Sequence, residues 1–333
     1  KTKALVTNVL GEWSENILNN DLKQSNFVVL ACDASNRKTT KLLPVLARYC
    51  EVDIDINVKT CILKIHSLPN ESAESVSNAL IGTLSEYNLE NKIVGFVADN
   101  APLNFGSIKK KTTGNVHSEL ESRLSKDILP IGCGAHIVHN AISVPCAKII
   151  PIDIENLVFK IYNHFSIFTV RTEHLKSFCE FIGCHYEGLL YHSKTRFLSL
   201  LPCVEKIIRQ FEAIKAYFLS EENAPVVIVN FFQDETSEMW LYFLHAQLLL
   251  FNETILKIER EDITAAEVSV LYFELLSKYR DRIEEQFFPF SAKNLLTKLV
   301  KEGSIKEEYA YSVSNRFYSE VVTYLEIWSH RFF

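Results

Sequence analysis

Glycine and proline are scarce in this chain of 333 residues, at ten and nine, which argues against low-complexity or repetitive architecture. Long apolar runs are missing too. The longest, Trp240 to Phe251, is too short to span a bilayer and is interrupted by His245 and Gln247, so no membrane segment is expected. No Gly-x-Gly-x-x-Gly or Gly-x-x-x-x-Gly-Lys-Ser/Thr loop follows any strand-like run, which weakens the nucleotide-binding α/β class. Paired Cys-x-x-Cys or His-x-x-x-His spacings are absent as well, leaving a structural zinc site short of its four ligands. No signal peptide is visible and the first residue is Lys1 rather than methionine, so a fragment or processed piece is expected.

What is present is an ordinary globular composition. Apolar residues make up 47% of the chain, ample for a buried core in one large or two modest domains. The eight cysteines are scattered, several in apolar contexts, and read as reduced thiols of a cytosolic or nuclear protein. The formal net charge is -6, so the whole chain is no basic glove for nucleic acid, which relies on clustered lysine and arginine. One local cluster, Lys109-Lys110-Lys111, could flank a nucleic-acid path; a surface lysine run is more often just a solvated face.

Two short apolar runs each end on an aspartate: Phe27 to Cys32 followed by Asp33, and Ile93 to Ala98 followed by Asp99. Such runs read as strands buried on both faces, and parallel strands carry function at their carboxyl ends. Leu42 to Cys50 and Val58 to His66 read as two further strands, and Glu71 to Tyr87 as an amphipathic helix. Short turns suit antiparallel pairing of the first three strands, while the helix supplies the crossover that lets the fourth lie parallel to the first. That order is the opening of an RNase H-like sheet, with Asp33 and Asp99 close enough to share divalent ions. An aspartate at a strand end is also a common turn or helix-cap residue.

The segment from Ile131 to Asn140 begins as a strand end and turns into a helix, placing Cys133 and His136 near the same sheet edge. Beyond about residue 150 every long segment has apolar residues at three- and four-residue spacing: 157–167, 173–182, 195–219, 235–259, 265–285 and 305–328. The fold class expected is therefore α/β, with a mixed RNase H-like core over 1–150 (an N-terminal helix, five strands and flanking helices) followed by an all-α region over 151–333.

The stretches Ala31-Cys32-Asp33-Ala34-Ser35-Asn36, Leu43-Pro44-Val45-Leu46-Ala47-Arg48-Tyr49, Ala98-Asp99-Asn100-Ala101-Pro102-Leu103-Asn104-Phe105-Gly106, Gly132-Cys133-Gly134-Ala135-His136 and Lys194-Thr195-Arg196-Phe197-Leu198-Ser199-Leu200, taken in order, resemble the hAT superfamily of DNA transposases. More closely, the chain looks like the transposon-derived hAT-like proteins of animal genomes. The resemblance implies an RNase H-like core with three acidic residues that bind two Mg²⁺ or Mn²⁺ ions, and a helical insertion between the second acid and the third. Asp33 matches the first acid, Asp99 the second, and Cys133 and His136 the Cys-x-x-His motif. Arg196 and Phe197 match an Arg-Trp motif with phenylalanine in place of tryptophan, which keeps a face for stacking on a base or on the core but loses the indole donor. An Arg-Phe pair at a helix start also commonly means a surface ion pair beside a core anchor.

Two hard ions clamped by carboxylates would polarise water and stabilise the leaving oxygen of a scissile phosphate. The chain departs from that pattern in its third acid, which the family carries beyond the helical insertion, close to a C-terminal dimerisation region. Glu320 and Glu326 are the late glutamates to consider, and each reads as a solvated helix-face residue. No zinc finger of the kind that reads transposon ends precedes Lys1. The expectation is a transposase-derived protein with an incomplete acid set, serving as a nucleic-acid or protein scaffold; the alternative is an active transposase at full length. DNA and a second copy, joined through a C-terminal region beyond this chain, are the partners implied. The nucleus is the expected location, with the cytoplasm as a second compartment.

Overall fold

The computed structural model describes every residue except 1, 53–55, 107–113, 194–196 and 333. The chain divides into two compact units, Lys1–Cys133 and Gly134–Arg331. The change of pattern read near residue 150 thus falls at the end of a strand. The helix that starts at Gly134 packs with the helical unit, a long-range preference that periodicity along one segment does not encode.

The first unit opens with helix α1 (Thr2–Leu5), a π-helical stretch (Val6–Gly11) and α2 (Glu12–Gln24). Its strands are β1 (Val28–Cys32), β2 (Ser35–Arg37), β3 (Thr40–Val52), β4 (Ile56–Leu68), β5 (Ile93–Ala98) and β6 (Leu129–Gly132). Between them lie α3 (Ala73–Glu86), α4 (Pro102–Phe105) and α5 (Val116–Leu124). The result is a six-stranded mixed sheet in which β3 takes β4 along one side and β1 and β2 end to end along the other. β5 lies parallel to β1 and β6 parallel to β5, as the α3 crossover requires.

One face of this sheet is the core. Val28, Leu30 and Cys32 of β1 alternate inward with Leu43, Val45, Ala47 and Tyr49 of β3 and with Phe96 and Ala98 of β5. α3 lays Val76, Leu80 and Leu84 on that face. Three polar ties fix the helices to it. Asp21 of α2 accepts from Tyr49 Oη and Lys59 Nζ, each at 3.1 Å. Lys92 Nζ donates to the carbonyls of Leu22 and Lys23 at 2.7 and 2.8 Å, satisfying orphan carbonyls at the end of α2. Tyr87 Oη donates to the Leu63 carbonyl at 3.0 Å, holding the end of α3 to β4. The Asn115–Ser118 capping box starts α5.

The second unit is helical: α6 (Gly134–Ile149), α7 (Ile154–Ser166), α8 (Thr169–Ile182), α9 (Leu200–Arg209), α10 (Phe211–Ser220), α11 (Val226–Gln233), α12 (Ser237–Ile258), α13 (Ala265–Glu284), α14 (Phe290–Glu302) and α15 (Glu307–Phe332). A 3-10 turn, Phe197–Ser199, leads into α9. α12 is the buried spine. Trp240, Leu241, Phe243 and Leu244 are fully enclosed, with Phe243 against Phe288, Phe317 and Tyr318. A second aromatic cluster joins Phe165, Tyr217, Phe218 and Phe232 around His164, whose Nε2 lies 2.9 Å from Tyr217 Oη. Among the described residues no single helix is long and apolar enough to cross a membrane. None of the eight cysteines is in a disulfide.

Candidate functional site

The carboxyl ends of β1 and β5 define the site. Their parallel register aligns Leu30 with Phe96 and Ala31 with Val97. Two further residues along each strand bring Asp33 level with Asp99, across the roughly 4.8 Å that separates neighbouring strands. The ladder on the other side of β1 explains why the chain pauses here. Cys32 pairs with Val45 and Ser35 with Leu42, so the same register sets Asp33 opposite Pro44, which has no N–H to offer. Asp33 is exposed there, while Cys32 before it is buried.

Both aspartates line a cavity of about 350 Å³ floored by Leu43, Val76 and Leu103. The Cys32 thiol registers both: burial first, then the Asp33 and Asp99 charges, push it up to about 12. It is a neutral packing group, not a nucleophile. Asp99 Oδ1 accepts from the Ala101 N–H at 3.1 Å and from Asn104 Nδ2 at 2.6 Å. It therefore also does what a strand-end aspartate does for ordinary reasons, capping the turn into α4. Next to it Asn100 Nδ2 donates to the Cys133 carbonyl at 3.0 Å, and the Cys133 N–H donates to the Ala98 carbonyl at 3.0 Å. The end of β6 is thereby sewn to the end of β5, with Cys133 following β6 at that edge of the sheet.

A third carboxylate lines the same cavity, one the motif reading passed over. Glu71 sits just before the Ser72 cap of α3 and is ion-paired to the largely buried Lys41 of β3. The signal for it was topological: the β3–β4 register, Lys41 opposite Leu68, returns the chain to the start of β3 as the crossover helix begins. Among the described residues, no three His, Cys, Asp or Glu side chains are arranged to hold a metal ion.

The other expected residues fall elsewhere. Lys109, Lys110, Lys111 and Arg196 lie outside the described residues. Phe197 opens the 3-10 turn before α9. His136 lies in the first turn of α6, in the helical unit, where it and His192 act on His139; burial and those two neighbours hold His139 down at about 4. Glu320 pairs with Lys148 at 3.9 Å and Glu326 with Arg280 at 2.6 Å, all with exposed side chains, as solvated helix-face residues do.

No protein-family model matches this sequence, and a search of curated proteins returns no significant match.

Proposed function

We propose that this is a hAT-transposase-derived protein whose RNase H-like core keeps a two-aspartate cation site and works as a nucleic-acid-binding scaffold without strand cleavage. The observation that carries the reading is the β1–β5 register, which sets Asp33 and Asp99 level at the carboxyl ends of adjacent parallel strands. Two carboxylates at that spacing repel each other across the cavity mouth, and a hard divalent cation relieves the repulsion. Asp33 and Asp99 suit Mg²⁺, which takes one or two carboxylates and keeps its waters for substrate phosphate. A bound ion would supply positive charge toward a phosphodiester. The arrangement of antiparallel strands, crossover helix and parallel strand, followed by a helical unit, supports the same ancestry.

Glu71 stands against cleavage. It is the one further carboxylate among the described residues lining the cavity, and the Lys41 ammonium engages it. A second ion would have to displace that lysine.

The test has two arms. Purified protein is expected to leave supercoiled and linear duplex DNA intact in Mg²⁺ or Mn²⁺, and cleavage that vanishes in Asp33→Ala would overturn the scaffold reading. Mn²⁺ binding followed by electron paramagnetic resonance is expected to weaken at least about tenfold in Asp33→Asn/Asp99→Asn. Binding indifferent to both substitutions removes the cation site, and with it the reading.

A further inference from the structure

We propose that the helical unit binds a small lipophilic molecule carrying no negative charge, in a cavity between α6, the start of α7, the start of α9 and α12. The cavity has a volume of about 320 Å³. Close-packed interiors rarely leave voids larger than a water molecule, and binding pockets begin at roughly 300 Å³. The wall is aliphatic and aromatic: Ile142, Leu201, Leu244, Leu248, Phe251 and Ile255. A void lined this way offers water few partners and favours an apolar occupant.

The space has a local cause. Pro145 sits inside α6, where it supplies no N–H to the helix ladder and its ring crowds the preceding turn. Ile142, Ser143, Cys146 and Ala147, the residues flanking it, form one wall of the cavity. Opposite, the chain turns sharply through Pro151 and Ile152, and α6 and α7 diverge by 90°.

Polar groups at the wall select the head group. Ser143 and Asn252 offer hydrogen bonds, and His139 beside them is uncharged at neutral pH because burial and its histidine neighbours hold it at about 4. Asp153, whose Oδ1 caps α7 by accepting from the Asn156 N–H at 3.1 Å, and Glu155 stand at the α7 end, and no lysine or arginine is among the described residues that line the cavity. A carboxylate ligand would meet two carboxylates and no cation, whereas an alcohol finds hydrogen bonds and an amine finds Asp153 and Glu155.

The experiment is isothermal titration of the intact chain with n-octanol, n-octylamine and n-octanoate, which share one tail and differ in charge. Octanol and octylamine are expected to bind saturably and compete with each other, at least about tenfold more tightly than octanoate. Leu248→Trp fills the cavity and is expected to weaken octanol at least about tenfold. Ala147→Trp, at an exposed lining position, obstructs the cavity without replacing a core residue and is expected to do the same, so misfolding of the first variant cannot decide the matter. Octanoate binding as tight as octanol, no saturable octanol binding to the unaltered chain, or octanol binding that survives Ala147→Trp in a folded protein would each overturn the proposal.

Discussion

Asp33 and Asp99 occupy equivalent strand ends but hold different local duties. Asp99 accepts two hydrogen bonds that shape the turn into α4, so Asp99→Ala is expected to cost about 1 kcal/mol in urea unfolding. Asp33 is exposed, so Asp33→Ala is expected to stay within about 0.5 kcal/mol of the original. Equal losses at the two positions would show that Asp33 serves the fold as Asp99 does. The aspartate pair was legible from sequence because a strand that ends on a polar residue announces its own carboxyl edge. Glu71 was not. It precedes a helix cap, carries no motif, and joins the cavity only because a hairpin register returns it there.

Elements were legible where one periodicity ruled and illegible where side chains overrode it. α12, α13 and α15 follow their apolar spacing closely. The single helix expected over 195–219 is instead divided at Gln210 into α9 and α10. Gln210 is 1% exposed and spends its amide on the chain itself. Its Nε2 donates to the carbonyls of Glu187 and Lys206 at 2.9 and 3.0 Å, and its Oε1 accepts from the Glu187 N–H at 3.0 Å. These bonds pin the extended segment after α8, and Glu187 adds ion pairs to Lys206 and Arg209 at 2.9 and 2.8 Å. Gln210→Leu keeps the bulk and leaves Glu187 backbone groups unpaired. The expected loss is about 3 kcal/mol, read as a lower urea midpoint with an unchanged slope. α11 escaped notice for another reason: Val226 to Val229 has the β-branched content of a strand, and packing of Ile228, Phe231 and Phe232 into the aromatic cluster makes it helical.

For the molecule as a whole, two histidines, His164 buried and His139 half-buried, contribute to the pH response. His139 and His164 are both held near 4 against an ordinary 6.5, burial being the larger cause in each, with His136 and His192 acting on the first and Arg171 on the second. Between those values the unfolded chain takes up protons that the folded chain refuses, so stability is full above about pH 6.5 and declines as pH falls toward 4. Glu187 and Glu267, held below the ordinary carboxylate value of 4.5, add their losses only at lower pH. Chemical unfolding between pH 7 and 5 is expected to lose on the order of 1 kcal/mol per histidine, and His139→Gln to flatten the decline by its share. A stability that rises on acidification over that interval would contradict the histidine assignment.

The pause in the ladder at Asp33 also bears on how the protein comes to be folded. β1, β2, β3 and β4 follow one another along the chain, and β1 and β2 share one continuous antiparallel register on β3 from Cys32–Val45 to Ser35–Leu42, contacts that close over short loops. Asp99 joins them only when β5 crosses over α3 to lie along β1, a non-local closure that comes at greater entropic cost. Asp33 is thus presented on the hairpin first, and its pairing with Asp99 comes into being with the crossover itself. Their mutual repulsion opposes that last step. A divalent cation held at the proposed site would relieve that repulsion, so refolding is expected to quicken in its presence.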